Sequence, residues 1–193
     1  MIGYKIIFSN DSQRKRLLVT LEIPQDAKTN LNRPGLIDPQ HAKYRCDKAL
    51  VVSIHCQQSG TEYTTGISGF WSDTVVYTKN EIVSSEFNPD LENSCSTGIH
   101  FFIDKQTAMC YRMCEVKWNM SGTEVPIKTV ELQHECPNGV YPEYVPSGYL
   151  CSEYIVYEGY VISITRFNNP ILGKKLIYTF EQGVLKQSTI HEM

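Results

Sequence analysis

Cys95-Ser96-Thr97-Gly98-Ile99-His100-Phe101-Phe102-Ile103-Asp104-Lys105-Gln106-Thr107-Ala108-Met109-Cys110-Tyr111 decides the fold of this chain, because a turn, a strand and a capped helix follow one another inside it. Gly98 gives the backbone freedom for a tight turn. After it, Ile99, Phe101 and Ile103 alternate with His100 and Phe102, so one strand face is apolar and the other carries an imidazole and a ring. That alternation predicts a core strand. Asp104 stands at the N-cap position, where its carboxylate can accept from the free amides of a first helical turn. Residues 105–114 hold the helix formers Lys105, Gln106, Ala108, Met109 and Met113, and Ala108, Tyr111 and Cys114 are expected to share the inward face.

Upstream, residues 4–8 and 17–23 are two β-prone runs separated by a polar turn, with Pro24 as a stop, and they predict a β-hairpin. Arg14, Lys15 and Arg16 beside that turn make a solvated rim, since no aromatics interleave them into a nucleic-acid platform. Residues 29–40, with Pro34, Gly35 and Pro39, form a loop. Residues 50–56 restart a β-branched strand, and residues 75–78 form another.

Downstream the texture changes to a repeat: an apolar residue, two turn residues, Gly, any residue, then an apolar residue. It recurs at Gly139, Gly148, Gly159 and Gly183, with Pro170 in the glycine slot of a fifth copy. Spacing of this order is what turns between short antiparallel strands produce. The tyrosines and phenylalanines between the markers suit a pleated sheet packed through aromatic pairs, with a free edge expected at residues 177–180 or 187–190. The expectation is therefore a mainly β (α+β) protein. Residues 1–130 are read as a β-rich domain with one short helix on a sheet, and residues 131–193 as an antiparallel meander of hairpins.

A chain of 193 residues, 41% hydrophobic and 20% charged, has the material for a packed core. A net charge of −3 gives no global attraction to nucleic acid. No apolar run approaches the roughly 20 residues that span a bilayer. The start, residues 1–8, reads as a strand rather than a secretion signal, which leads to the expectation of synthesis inside the cell. The seven cysteines, at 46, 56, 95, 110, 114, 136 and 151, contain no Cys-x-x-Cys pair. Buried or inert thiols are the preferred reading, ahead of a metal site that would need Cys95, His100, Cys110 and Cys114 to converge, and of an intermolecular disulfide.

The landmarks before residue 130 resemble a domain of unknown function found in proteins of Marseillevirus-like giant viruses. The matching residues are 17–28, from Leu17-Leu18-Val19 to Ala27-Lys28; Lys43-Tyr44-Arg45-Cys46-Asp47-Lys48-Ala49; Val76-Tyr77-Thr78-Lys79-Asn80-Glu81-Ile82-Val83; and Cys95 through Tyr111 with its Gly-Ile-His-Phe-Phe element. The chain departs from that pattern at Thr78-Lys79-Asn80, where the domain has a glycine. The last third resembles degenerate MORN-type repeats. Together the resemblances imply a viral structural or accessory protein, in the virion or the infected host cytoplasm, that contacts itself or virion components.

Catalysis needs a nucleophile, a base or a metal held in mutual reach. The histidines at 41, 55, 100, 134 and 191 form no such motif, and there is no nucleophile elbow, P-loop or dinucleotide fingerprint. The expected function is a non-enzymatic interaction or assembly module with no catalytic, cofactor-binding or metal residues, no membrane partner and no nucleic acid. The alternative is a degenerate ADP-ribosyltransferase-like nucleotide-binding domain, in which His100, Tyr111 and Glu115 would supply the polar groups. Trp71 and Trp118 are candidate anchors for a partner. The sequons at Asn10 and Asn119 are read as chance matches.

Overall fold

The polar residues between two β-prone runs fold into a hairpin in the computed structural model, which describes residues 1–68, 75–112, 116–121, 127–132, 137–167 and 174–192. Strands β1 (Ile2–Phe8) and β2 (Arg16–Glu22) pair antiparallel from Ile2↔Glu22 to Phe8↔Arg16. Asp11 shapes the turn. Its Oδ1 accepts from the Ser9 hydroxyl and from the amides of Gln13 and Arg14, which holds Arg14 at a φ of 45°. Strands β3 (Lys43–Cys46), β4 (Lys48–Cys56), β5 (Thr65–Ile67), β6 (Val76–Thr78), β7 (Ile82–Ser84) and β8 (Ile99–Phe102) complete a curled antiparallel sheet. Its order is β3-β8-β1-β2-β4-β7, with β5 pairing β1 and β6. Asn80 sits at φ 66° in the turn after β6, a left-handed position that asparagine tolerates better than most residues.

Because side chains alternate across a strand, the sheet has two apolar faces. Ile7, Leu17, Val19, Leu21, Ile54, Tyr77, Ile99 and Phe101 belong to one continuous core on one side, with Cys46 and Tyr44. Ile6, Leu18 and Phe102 are also buried but point to the other side by parity. The expected strand and its alternation are thus present, with Ile99 and Phe101 in the core and His100 half-buried.

Helix α1 (Lys105–Cys110) begins where the capping argument placed it. Asp104 Oδ2 accepts from the Thr107 amide at 2.6 Å and the Thr107 hydroxyl at 2.8 Å, and the Asp104 carbonyl accepts from Ala108 N at 3.2 Å. The helix is shorter than the expected 105–114. Tyr111 and Arg112 form a turn with Arg112 at φ 50°, and Gln57 Nε2 takes the helical carbonyl of Met109 at 3.0 Å. Ala108 is fully buried, as expected of the inward face, and Tyr111 is half-buried.

Strands β9 (Val116–Ser121), β10 (Ile127–Leu132), β11 (Gly139–Tyr144), β12 (Leu150–Tyr157), β13 (Tyr160–Phe167), β14 (Lys174–Glu181) and β15 (Val184–Glu192) form a second antiparallel sheet in the order β11-β12-β13-β14-β15-β10-β9. From β11 to β15 it is the expected meander. Glu158 and Gly159, at φ 50° and 78°, close β12 onto β13; Gln182 and Gly183, at 47° and 79°, close β14 onto β15. Two positive φ values in a two-residue loop are the type I′ pattern that matches strand twist. Gly148 also lies in a turn, but Gly139 is inside β11, paired with Val156. Residue 170 lies outside the described residues. Residues 177–180 are interior, since β14 is paired on both sides. Residues 187–190 are paired with β14, and the registered partner of β15 on its other side is β10, through Val184.

Among the described side chains of this sheet, Val130, Tyr154, Val156, Val161, Ile164 and Phe180 form a buried apolar cluster, with Leu132, Tyr141, Tyr178 and Leu185 packed around them. The chain divides into two compact units, Met1–Met109 with Val145–Tyr149, and Cys110–Tyr144 with Leu150–Met193. β9 and β10, which the sequence texture assigned to the first domain, pair with the second sheet. Among the described residues no helix is long and apolar enough to cross a membrane.

Candidate functional site

The proposed thiol cluster can be followed in part. Cys95 is exposed, Cys110 is buried and His100 is half-buried, while Cys114, Glu115, Cys136 and Trp71 lie outside the described residues, as does the Trp118 side chain. Among the described residues no group of three His, Cys, Asp or Glu side chains is placed to hold a metal ion. Cys46 is fully buried, its Sγ donates to the Ile99 carbonyl at 3.8 Å, and burial pushes its pKa up to about 12. A thiol so far from ionising is unreactive at neutral pH. Burial acts the same way on Cys56, yet hydrogen bonds from Ser59 and the Gln58 backbone outweigh it and leave that thiol lowered.

The unusual chemistry of the first unit is its buried positive charge. Arg45, on β3, is fully buried, and Arg33 and Lys43 are buried as well. The Nη groups of both arginines donate to backbone carbonyls. Arg45 Nη1 donates to Thr97 O at 2.7 Å and Asn88 O at 3.2 Å, and Nη2 donates to Asp90 O at 2.7 Å, with the guanidinium 4.8 Å from the Phe87 ring. One side chain thereby straps a strandless segment onto β3. Arg33 Nη1 donates to Lys43 O at 2.6 Å, its Nη2 to Pro146 O, and its guanidinium lies 5.3 Å from the Tyr44 ring. Ile37 N, Asp38 N and Lys43 N donate to the same 145–149 turn. Burial is the main reason both guanidinium pKa values are lowered.

Lys5 and His100 answer to this field. Lys5 Nζ donates to the His100 carbonyl at 3.3 Å and lies 5.8 Å from the Tyr77 ring centre. Burial, then Lys43, pull its pKa down to about 8. His100 is pushed down to about 3, first by burial and then by Lys43, Lys5 and Arg45, against a weaker opposing hydrogen bond with the Ser94 backbone. It is therefore a neutral imidazole at physiological pH, unsuited to hold charge as an acid catalyst.

A second polar constellation lies at the helix start. His41 Nδ1 is 2.6 Å from Thr107 Oγ1, which donates on to Asp104 Oδ2, and His41 Nε2 is 3.9 Å from Asp38 Oδ2. The hydroxyl is held by the carboxylate rather than activated by the imidazole, so the chain of bonds ties residues 38–41 to the cap. Sequence reasoning found Asp104 and missed His41 and Thr107. The Asp-x-x-Thr spacing signals the second of these, and nothing local signals the first.

In the second unit, Tyr154 Oη donates to Glu143 Oε2 at 2.9 Å, and its pKa is raised, chiefly by burial. The opposite face carries exposed apolar side chains at the β12–β13 hairpin: Tyr157 (53% exposed), Tyr160 (46%), Ile162 (38%) and, on β11, Val140 (52%). Tyr157 pairs with Tyr160, and Val140 with Ile155. Of the polar residues assigned to a transferase-like site, His100 belongs to the first unit and Tyr111 to the second.

A family model described as a family of unknown function, DUF5758, matches residues 1–108. The match ends within one residue of the Met1–Met109 span of the first unit. No curated protein and no solved structure matches the chain.

Proposed function

The chain belongs to the family of unknown function DUF5758, and from that premise we propose that it works without catalysis, as an assembly module whose contact surface is the outer face of the second sheet. The observation that supports this reading is the patch of Val140, Tyr157, Tyr160 and Ile162, each more than a third exposed. Large exposed apolar patches mark contact sites, and tyrosine is favoured there because its ring buries area while its hydroxyl stays wet. The turn within the patch carries one charge, Glu158. Two copies can therefore bury it against each other about a twofold axis without opposing several like charges. The occupant is a second copy of this chain, and the resemblance to giant-virus proteins makes a virion or the infected host cytoplasm its setting.

Light scattering across concentration tests the reading. The wild type should gain mass with concentration, and Tyr157→Ser with Tyr160→Ser should remain a monomer. A wild type that stays monomeric at high concentration overturns it. Calorimetry with nicotinamide dinucleotide addresses the alternative, a degenerate ADP-ribosyltransferase-like site: saturable binding lost in His100→Ala would replace the assembly reading with that one.

A further inference from the structure

The sheet of the first unit ends on a strand with one open side. β7 closes the order β3-β8-β1-β2-β4-β7 and, among the described residues, pairs with β4 alone, through Lys48↔Ser84, Ala49↔Val83 and Leu50↔Ile82. The hydrogen bonds flanking that ladder fix its phase. Val51 N donates to Glu81 O at 2.9 Å, and Ser85 N donates to Asp47 O at 2.8 Å. Hydrogen-bonded and non-hydrogen-bonded pairs alternate in an antiparallel ladder, so residues 81, 83 and 85 turn their backbone groups toward β4. The amides and carbonyls of Ile82 and Ser84 therefore face away from the sheet, and both residues are exposed, Ile82 at 66%.

This edge is apolar at its centre and acidic at both ends. Ile82 continues a row of facing residues, Ile2, Glu22, Leu50 and Ile82, across β1, β2, β4 and β7. Glu81 and Glu86 bracket the strand; both are exposed, and among the described residues neither carboxylate is in an ion pair. The neighbouring lysines are already engaged, Lys48 by Asp26 and Lys79 by Glu62. Free edge groups invite another strand, and uncompensated carboxylates select a cationic one. A second copy of this chain is disfavoured, because twofold pairing of β7 with itself would gather two Glu81 and two Glu86 side chains along one seam.

We propose that β7 is a docking edge for an extended segment of a partner protein, added antiparallel, with apolar side chains opposite Ile82 and Val83 and basic ones opposite Glu81 and Glu86. Ile82 and Ser84 each exchange a pair of backbone hydrogen bonds with the incoming strand, and the carboxylates at the two ends set its register. The edge belongs to the first unit and is independent of the tyrosine patch assigned to self-association.

The capped hexapeptide Lys-Thr-Thr-Val-Val-Lys, whose residues run opposite Glu86 back to Glu81, is the probe. Added to the full chain at low salt, it should shift the amide resonances of Ile82 and Ser84 saturably and slow their exchange with solvent. N-methylation of its third or fifth residue, which face Ser84 and Ile82, removes an N–H that donates to the edge and should abolish binding. N-methylation of its fourth residue, whose N–H points away, should leave binding intact. Glu81→Lys with Glu86→Lys should weaken the peptide about tenfold and favour Glu-Thr-Thr-Val-Val-Glu instead. Tyr157→Ser with Tyr160→Ser should bind the peptide like wild type, which separates this edge from the self-association surface. No shift at millimolar peptide, equal loss from N-methylation at all three positions, or a wild type that prefers the acidic peptide overturns the proposal.

Discussion

The two units are both antiparallel β, yet they are held together differently. The first buries a deep core of aliphatic and aromatic side chains and sinks three cationic residues into its periphery. The second pairs seven strands in one meandering sheet, with an apolar cluster at Val156, Val161, Ile164 and Phe180 among the described side chains and tight I′ turns joining β12 to β13 and β14 to β15. Burial scales with apolar area, whereas ladders and turns contribute little net free energy per residue. The core of the first unit can therefore carry the desolvated polar groups beside it.

The largest expected effect comes from equal truncations in the two cores. Phe101→Ala, at a fully buried site between β3 and β1, should cost about 3–5 kcal/mol. Phe180→Ala, at a site in the second sheet that keeps 7% exposure, should cost roughly half as much. Urea denaturation with amide exchange read separately on β2 and β13 checks this. Equal costs would break the contrast in core depth.

The buried cations sharpen the contrast through pH. The His100 pKa falls from 6.5 to about 3 on folding, so between those values the unfolded chain binds more protons and stability is lost as pH drops from 6.5 towards 3. The Lys5 pKa falls from 10.5 to about 8. The unfolded chain again holds more protons, so stability of the first unit should rise with pH from 8 upward. That gain is cut off near pH 10, where the unfolded chain ionises the tyrosine that burial keeps protonated at position 77. Each swing is a few kcal/mol at most, at ~1.4 kcal/mol per pKa unit. Lys5→Met should flatten the alkaline rise and His100→Asn the acid loss, with the second unit unaffected by either.

Gly148 probes the turn that the first unit claims. A Cβ there would lie 1.9 Å from the Asp38 carbonyl oxygen, and its φ of 88° disfavours any other residue. Gly148→Ala should cost about 2 kcal/mol and speed amide exchange at Ile37, Asp38 and Lys43, which donate to this segment. Unchanged exchange would show that the turn contributes nothing to the first unit. The smallest effect is Asp104→Ala, about 1 kcal/mol from the lost helix cap, read as a shift in denaturation midpoint.

The parts of this molecule that were legible are those where cause and effect are a few residues apart. The alternation in β8, the Asp104 cap and the turns at Gly159 and Gly183 depend on neighbours within one turn or one strand, and each is where local chemistry places it. The expected helix overran the observed one because helix formers continue past Cys110, whereas the chain leaves the helix through Arg112 in the left-handed region. Gly139 has the spacing of a turn glycine but pairs with Val156, since register is settled by the partner strand.

Sequence by itself determined the β class, the meander, the cap and the lack of a recognisable catalytic motif, because periodicity and capping are short-range properties of the chain. Only the tertiary structure decided the polar interior. His41 meets Thr107 across 66 residues, Lys5 meets the His100 carbonyl across 95, and Arg33 meets Pro146 across 113. A lone lysine or arginine in a strand reads locally as a solvated charge. It becomes a buried one only when distant carbonyls close over it, and that closure is a property of the fold, paid for by the apolar core beside it.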